Sequence, residues 1–451
     1  MTVAKASSSP APSSTLNAGV RKREVFGWAM YDFANSGFTT VVITAVFSAY
    51  FVGAVAQGAA WGALAWTTTL GVSYALVMLS MPALGAWADL HGAKKRLLGW
   101  VTLLCLVSTA ALAWVQPGDL VLACILVVVA NTAFSWGESV SYAFLPELAK
   151  PEAMGKVSGW GWGLGYAGGM LTLGICLVWV MSAQARGETA ADFVPITMLI
   201  TAVMYGAASL FTFALLKERT LPTKSTDDVA SAVMAVPERT LQGFQASMRR
   251  LHETWQASAR YRDFSLLLGS AVFYQGGVAV AITLAAIYAQ QVIGFQPQEI
   301  MVLVFVINAA AMIGALVFGH LQDKMGHRLT LSLTLVGWTI TCILAGLATT
   351  KLAFWYAAAL AGVCMGSSQS CGRAMAGLLA PTKQLAEFYG LWSFATRLAA
   401  IAGPLMYGLI TWGTGGDQRT AIFSTALLFV VGLGFLIPLD MARGQRAAQD
   451  D

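Results

Sequence analysis

Charge is what this chain has least of. Only 11% of its 451 residues are Asp, Glu, Lys or Arg, where soluble domains carry about a quarter. That shortage excludes a surface that faces water throughout. Histidine is scarcer still. The four present (His91, His252, His320 and His327) all fall in polar connecting segments, so no histidine relay crosses the apolar regions. The six cysteines sit inside apolar runs and form no CxxC pair, which excludes a disulfide framework or a zinc site and leaves helix packing. No G-x4-G-K-S/T phosphate loop is present, which argues against an ATP-driven pump. There is no metal-ligand cluster and no nucleophile–base constellation, so neither an enzyme nor a bound cofactor or metal is expected.

Apolar residues make up 57% of the chain and the mean hydropathy is +0.66. The 45 glycines and 15 tryptophans suit membrane helices, where glycine permits close packing and tryptophan favours the interfaces. Runs long enough to cross about 30 Å of hydrocarbon recur near 25–54, 64–88, 97–115, 119–145, 157–183 and 193–217. They resume near 263–290, 297–319, 328–350, 353–380, 388–412 and 417–440. The expected fold is an all-α membrane protein of twelve transmembrane helices in two pseudo-symmetric six-helix bundles. The bundles span 25–217 and 263–440, with tails at 1–24 (disordered) and 441–451 and a cytoplasmic linker at 218–262. Within the linker, Leu241, Phe244, Met248, Leu251 and Trp255 recur at helical spacing among arginines, the pattern of an amphipathic helix on the inner membrane surface.

Of the 27 Lys and Arg residues, 22 fall in the tails and the connections of one side, three (Arg186, Lys351, Arg419) on the other, and two (Arg373, Arg397) inside spans. The positive-inside rule then places both termini in the cytoplasm, with the chain as a multi-pass protein of the cell inner (plasma) membrane. The net charge of +5 reflects these basic loops and not a nucleic-acid partner.

One phrase is written twice in the same register: Gly85-x3-Asp89-x2-Gly92 and Gly319-x3-Asp323-x2-Gly326, with the aspartates 234 positions apart. It resembles the loop motif of the major facilitator superfamily, found between helices two and three and again between eight and nine. Gly85 and Gly319 admit a close neighbour, Gly92 and Gly326 suit a left-handed helix cap, and Asp89 and Asp323 suit a helix N-terminus or a nearby base. In the first copy Leu90 replaces the customary basic residue, and Ala93 precedes Lys94-Lys95-Arg96. A narrower resemblance rests on four further phrases. They are Trp28-Ala-Met-Tyr31-Asp32-Phe33-Ala34-Asn35-Ser36-Gly37-Phe38, Phe144-Leu-Pro146-Glu147-Leu148, Val157-Ser158-Gly159 and Ala386-Glu387-Phe388-Tyr389-Gly390. Together they look like the major facilitator family that includes the fungal autophagy-linked vacuolar amino-acid effluxer. By analogy the resemblance implies a cargo of amino acids or similar small polar solutes.

Within the spans only Asp32, Glu138, Arg373 and Arg397 carry charge, and a mid-membrane charge is a functional candidate by default. Glu138 and Arg373 lie 235 positions apart, each followed eight residues later by a proline (Pro146, Pro381), so pseudo-symmetry sets them at similar depth across the central path. They are read as an inner-gate salt bridge, with a permanent structural pair as the alternative. Asp32 shares a helix face with Asn35 and is the candidate for proton coupling; binding a substrate ammonium or pairing permanently with an arginine are the other roles open to it. Arg373 or Arg397 suits a substrate carboxylate, Gln369 lies one turn before Arg373, and Tyr274 and Gln275 are the expected ligands on helix seven. The expectation is therefore a monomeric, proton-coupled secondary transporter of a small polar solute, working by alternating access in the lipid bilayer. The competing readings are an exporter of drug-like or lipidic amphiphiles and a transport-silent membrane sensor.

Overall fold

The computed structural model describes residues 15–59, 61–219 and 261–449. Among them, twelve long helices lead the architecture. In the first half these are α1 (Lys22–Phe38), α2 (Gly62–His91), α3 (Lys94–Ala111), α4 (Leu120–Tyr142), α5 (Met154–Ala185) and α6 (Ala190–Leu215). In the second they are α7 (Arg262–Tyr288), α8 (Pro297–Met325), α9 (His327–Leu347), α10 (Lys351–Leu379), α11 (Leu385–Gly413) and α12 (Gln418–Leu436). Eleven of the described helices are long and apolar enough to cross a membrane. The long helix that falls short is α10, whose second half carries Ser367, Ser368, Gln369, Ser370 and Arg373. That half is buried in protein almost throughout, which is where intramembrane polar groups are tolerated. The outer faces carry exposed Leu, Ile and Val, among them Val178, Leu210 and Leu405, as a lipid-facing surface requires.

The two halves repeat one packing plan. Helix α1 lies along α5 and α6, and α4 along α2 and α3; their counterparts α7 and α10 lie along α11 and α12 and along α8 and α9. The halves meet where α2 packs on α11 and, symmetrically, where α8 packs on α5. Lipid tails are as apolar as leucine, so this packing relies on small residues that let backbones approach. Helix α5 shows the device on two faces. A methyl added to Gly163 would meet Leu316 of α8, and one added to Gly165 would stand 3.0 Å from Ser36 Oγ of α1.

Helix starts at the end remote from the loop motifs are capped locally. Asp417 accepts the N–H groups of Arg419 and Thr420, Thr350 accepts that of Ala353, and Thr189 and Asp192 form a reciprocal box. At the motif end α2 stops at Gly92, with φ 55 and ψ 44, the left-handed cap expected there. Gly326 differs: its φ of 93 with ψ of 142 lies outside the left-handed helical region, although glycine suits it equally well.

The expected N-terminal tail is corrected where it is described. The N-terminal tail was expected to be disordered to residue 24. Instead Asn17 donates to the carbonyls of Pro146 and Glu147 at 2.9 and 3.0 Å, Leu16 pairs with Ala149, and α1 begins at Lys22. The C-terminal segment forms a helix, α13 (Met441–Gln449), held by Arg443 on Asp263 at 2.6 Å. The expected linker amphipathic helix falls in 220–260, outside the described residues.

Helix α1 does not end cleanly at Phe38. It widens over Thr39–Ala45 and again over Phe51–Val55, where the N–H groups of Val46 and Ala56 reach back five residues to the carbonyls of Val41 and Phe51. Such widened turns recur at functional sites, and this one presents Thr39, Thr40 and Thr44 to the molecular centre.

Candidate functional site

The site is closed at one end by the repeated loop motif. Asp89 Oδ2 accepts the N–H of Glu387, in the first turn of α11, at 3.0 Å. Its other oxygen stands 3.3 Å from Lys94 Nζ, which is wholly buried and also donates to Glu147 Oε1 at 2.9 Å. The mirror contact is made by Asp323, whose two oxygens accept the N–H groups of Gly155 and Lys156 at the start of α5 at 2.8 and 2.9 Å. Each carboxylate of one half therefore caps a helix of the other, where amide donors and the helix dipole favour negative charge. The glycines make the approach possible: Gly85 lies against the Ala386 backbone, and a methyl on Gly319 would stand 2.8 Å from the Gly155 carbonyl oxygen. Just outside the spans, Glu218 caps α3 through the N–H groups of Lys94 and Lys95 at 2.6 and 3.2 Å. Burial pushes the Glu218 carboxyl up, against the pull of those two donors.

Beyond this seal a cavity of about 920 Å³ rises between the halves. It reaches the end remote from the motifs, where the lining residues Thr44, Ala49 and Gly53 are exposed. Its upper walls are apolar, with Leu173, Leu177, Val180, Phe193, Ile282 and Leu303. Polar side chains collect deeper: Asp32, Asn35, Tyr74, Asn131, Glu138, Tyr142, Gln369 and Arg397.

The four mid-membrane charges form two ion pairs across the halves, but not the pair expected between Glu138 and Arg373. Arg373 Nη1 donates to Asp32 Oδ2 at 2.6 Å with both side chains buried, and Arg397 Nη2 donates to Glu138 Oε2. The reason for the correction is Tyr142, one turn beyond Glu138 on α4. Its hydroxyl donates to Glu138 Oε1 at 3.0 Å while its ring centre lies 4.9 Å from the Arg373 guanidinium. It thus stands between the two charges that pseudo-symmetry set at equal depth. Arg373 turns instead toward α1 and α5, donating from Nε to Ser158 Oγ at 3.1 Å and from Nη2 to the Ser158 carbonyl at 2.6 Å.

Three rings enclose that guanidinium: Trp28 at 4.7 Å, Tyr142 at 4.9 Å and Trp162 at 5.3 Å from their centroids. Each contact is worth up to about 2 kcal/mol when desolvated, and together with Asp32 they offset the cost of burying the charge. Room for the cage depends on Gly161, where a methyl would meet Arg373 Nη2 at 2.6 Å and Trp28 Cη2 at 2.8 Å. Ser158 Oγ itself donates to the Ser370 carbonyl at 2.8 Å, so the hydroxyl ties α5 to α10. Ser158→Ala leaves one guanidinium N–H unpaired and is expected to cost about 1–3 kcal/mol, measured as a lowered melting temperature of the purified protein.

Of the residues singled out in the sequence, Asp32, Asn35, Glu138, Gln369 and Arg397 meet at the cavity, and Arg373 lies just beneath it. The two helix-seven candidates do not line it. Tyr274 is fully buried, its hydroxyl close to Gly372, while Gln275 exchanges two hydrogen bonds with Gln369 at 2.9 and 3.2 Å. Trp28 and Ser158 had no role in the sequence reading, though both stand in the phrases that carried the family resemblance. Tyr389 stands in another, and its hydroxyl donates to the Arg373 carbonyl at 2.9 Å.

Two pseudo-symmetric six-helix halves, sealed at the motif end over a central cavity, define a transporter of the major facilitator superfamily and not an enzyme. The model of the "Vacuole effluxer Atg22 like" family matches residues 63–449, and the chain belongs to that family. A curated relative, the uncharacterised MFS-type transporter YxiO of Bacillus subtilis, is 29% identical over 437 residues, covering 94% of this chain and 97% of that protein. Autophagy-related protein 22-1 of Aspergillus fumigatus is 24% identical over 65% of this chain, which spans about half (49%) of that longer protein. Among solved structures, the human organic anion transporter MFSD10 superposes with a TM-score of 0.67 at 15% identity, covering 92% of this chain and 99% of that one. The proton:xylose symporter XylE gives 0.66 at 14% identity, with 92% and 93% covered. At such identities these structures share the fold alone. With eleven described helices long and apolar enough to span a bilayer, the protein sits in the membrane as a transporter of this superfamily.

Proposed function

We propose that this chain is a secondary active transporter that moves a small polar solute, an amino acid or related metabolite, by alternating access coupled to protons. The observation that carries the proposal is the cavity floor, built from two ion pairs that each join one half to the other. Moving the halves apart at that depth must break both pairs, so occupancy of the cavity and the position of the halves are linked. With both termini in the cytoplasm of an inner (plasma) membrane, the motif seal is the inner gate and the cavity faces outward. One chain holds a complete cavity, which supports a working monomer. Asp32 is the proposed proton carrier, because protonating it would cancel the charge that holds Arg373. Reconstituted protein should accumulate its solute under an inward proton gradient, and Asp32→Asn should lose that uptake while retaining solute counterflow. Loss of both activities, or wild-type uptake without a gradient, would refute the coupling.

The apolar upper walls support a second reading, export of an amphiphile with a charged head. A thermal-shift screen of amino acids, peptides, organic acids and amphiphiles, followed by proteoliposome transport of the hits, separates the two.

A further inference from the structure

A single helical turn, Leu145–Leu148, lies between α4 and α5 and stops at Ala149, whose extended backbone (φ -105, ψ 141) ends the helical register. The Ala149 N–H still reaches the Leu145 carbonyl at 3.0 Å, which leaves the carbonyls of Pro146, Glu147 and Leu148 to find donors elsewhere. One residue of the N-terminal segment supplies all three. Asn17 gives its side-chain amide to Pro146 and Glu147 at 2.9 and 3.0 Å, and its backbone N–H to Leu148 at 3.1 Å. The Lys150 N–H, which a continuing helix would have aimed at Pro146, goes instead to the Thr15 carbonyl at 3.2 Å, and the intervening Leu16 is buried. Further along, Arg219 Nη2 donates to the Gly19 carbonyl at 3.3 Å. Residues 15–20 thus form a strap over the turn.

The strapped turn is also where the first half reaches the second. Pro146 lies on α10, where a methyl on Gly377 would stand 2.9 Å from its Cγ. Glu147 Oε1 accepts from Lys94 Nζ at 2.9 Å, and Lys94 stands 3.3 Å from Asp89, which caps α11 through the Glu387 N–H. A continuous path of polar contacts therefore runs from Asn17 into the other half. We propose that the strap is a latch on the motif seal: by keeping the turn ordered, it favours the state in which that end is closed. Without it the turn would have to be ordered each time the halves meet, and that entropic cost would fall on the seal. The strap biases the two states because the turn it orders touches α10 and Lys94 in the sealed one. This rests on the reading of the two halves as working by alternating access. The strap precedes α1, so a segment outside the spans sets how readily the cavity opens at its sealed end.

The test is hydrogen exchange on the full chain in lipid nanodiscs, read first at one amide. The Glu387 N–H sits in the first turn of α11 with Asp89 of the other half as its acceptor, so its exchange reports how often the seal opens. Asn17→Ala removes the side-chain donors and should speed that exchange about fivefold, the net worth of one hydrogen bond. Asn17→Asp sets carboxylate oxygens against two carbonyls and should speed it at least as much. The Gly155 and Lys156 amides, held by Asp323 in the mirror contact, should quicken by the same factor, since one opening releases both. Amides around Thr201, buried in α6, should be unchanged. Glu387 exchange within about twofold of wild type in both variants would overturn the latch. A rise confined to residues 145–153, which is local fraying, or an equal rise at Thr201, which is general loosening, would overturn it too. The transport reading is judged separately. If Glu387 responds and the proteoliposome screen finds no solute moved, the latch stands and that reading falls; if a solute is moved and Glu387 does not respond, the reverse holds.

Discussion

Arg373→Leu alone should abolish transport and destabilise the protein by about 3–5 kcal/mol, the usual cost of stranding one member of a buried ion pair. The stranded group is Asp32, which is buried and would lose its guanidinium partner. Ser158 would lose the donors to its hydroxyl and carbonyl, and Trp28, Tyr142 and Trp162 would face a smaller, uncharged side chain. Neutralising both partners, Asp32→Asn with Arg373→Leu, should recover most of the stability, since buried pairs replaced by uncharged residues are often neutral in free energy. It should not recover proton-driven transport. Melting curves and uptake on the same preparations separate the two effects. A double variant as unstable as Arg373→Leu would mean that the cage, and not the charge pair, holds α10 against α1 and α5.

Gly85→Val should disable transport while leaving the chain inserted and folded. A Cβ at this position would stand 2.6 Å from the Ala386 carbonyl carbon and 2.9 Å from the Glu387 nitrogen, and it would press on the Ala386 oxygen. These are backbone atoms of α11, which cannot swing aside as a side chain does. Overpacking of this kind costs about 1–3 kcal/mol, enough to move a two-state balance by about 5- to 150-fold. The clash exists only where α2 and α11 touch, so the variant should favour the state in which the motif end is open. Lys94 reports the change: wholly buried between Asp89 and Glu147 here, it should become reactive to amine-directed reagents. Wild-type transport, or a Lys94 still protected, would remove the motif contact from the gating scheme.

The duplication was legible because it is a matter of spacing: two phrases 234 positions apart mark matching points of the two halves. The helices were legible because lipid imposes their length and apolarity. What the chain did not disclose was rotation about each helix axis and the reach of long side chains. Glu138 and Arg373 share a depth, yet a ring one helical turn away diverts each to a different partner. Adjacent Tyr274 and Gln275 looked alike as ligands, and the faces they occupy turn both toward neighbouring helices. The role of Ser158 was hidden for another reason: a serine in an apolar helix signals a hydrogen bond, but not to whom.

The crossed pairing also bears on how the chain is made. Both acids belong to the first six helices and both arginines to α10 and α11. When the first half leaves the ribosome, its two carboxylates have no guanidinium to meet until more than a hundred further residues have been synthesised. The half-made protein must therefore hold both acids without their partners until the second half arrives. Final docking of the bundles thus becomes an act of charge neutralisation in the bilayer, and a truncated first half would carry a standing liability for quality control to read.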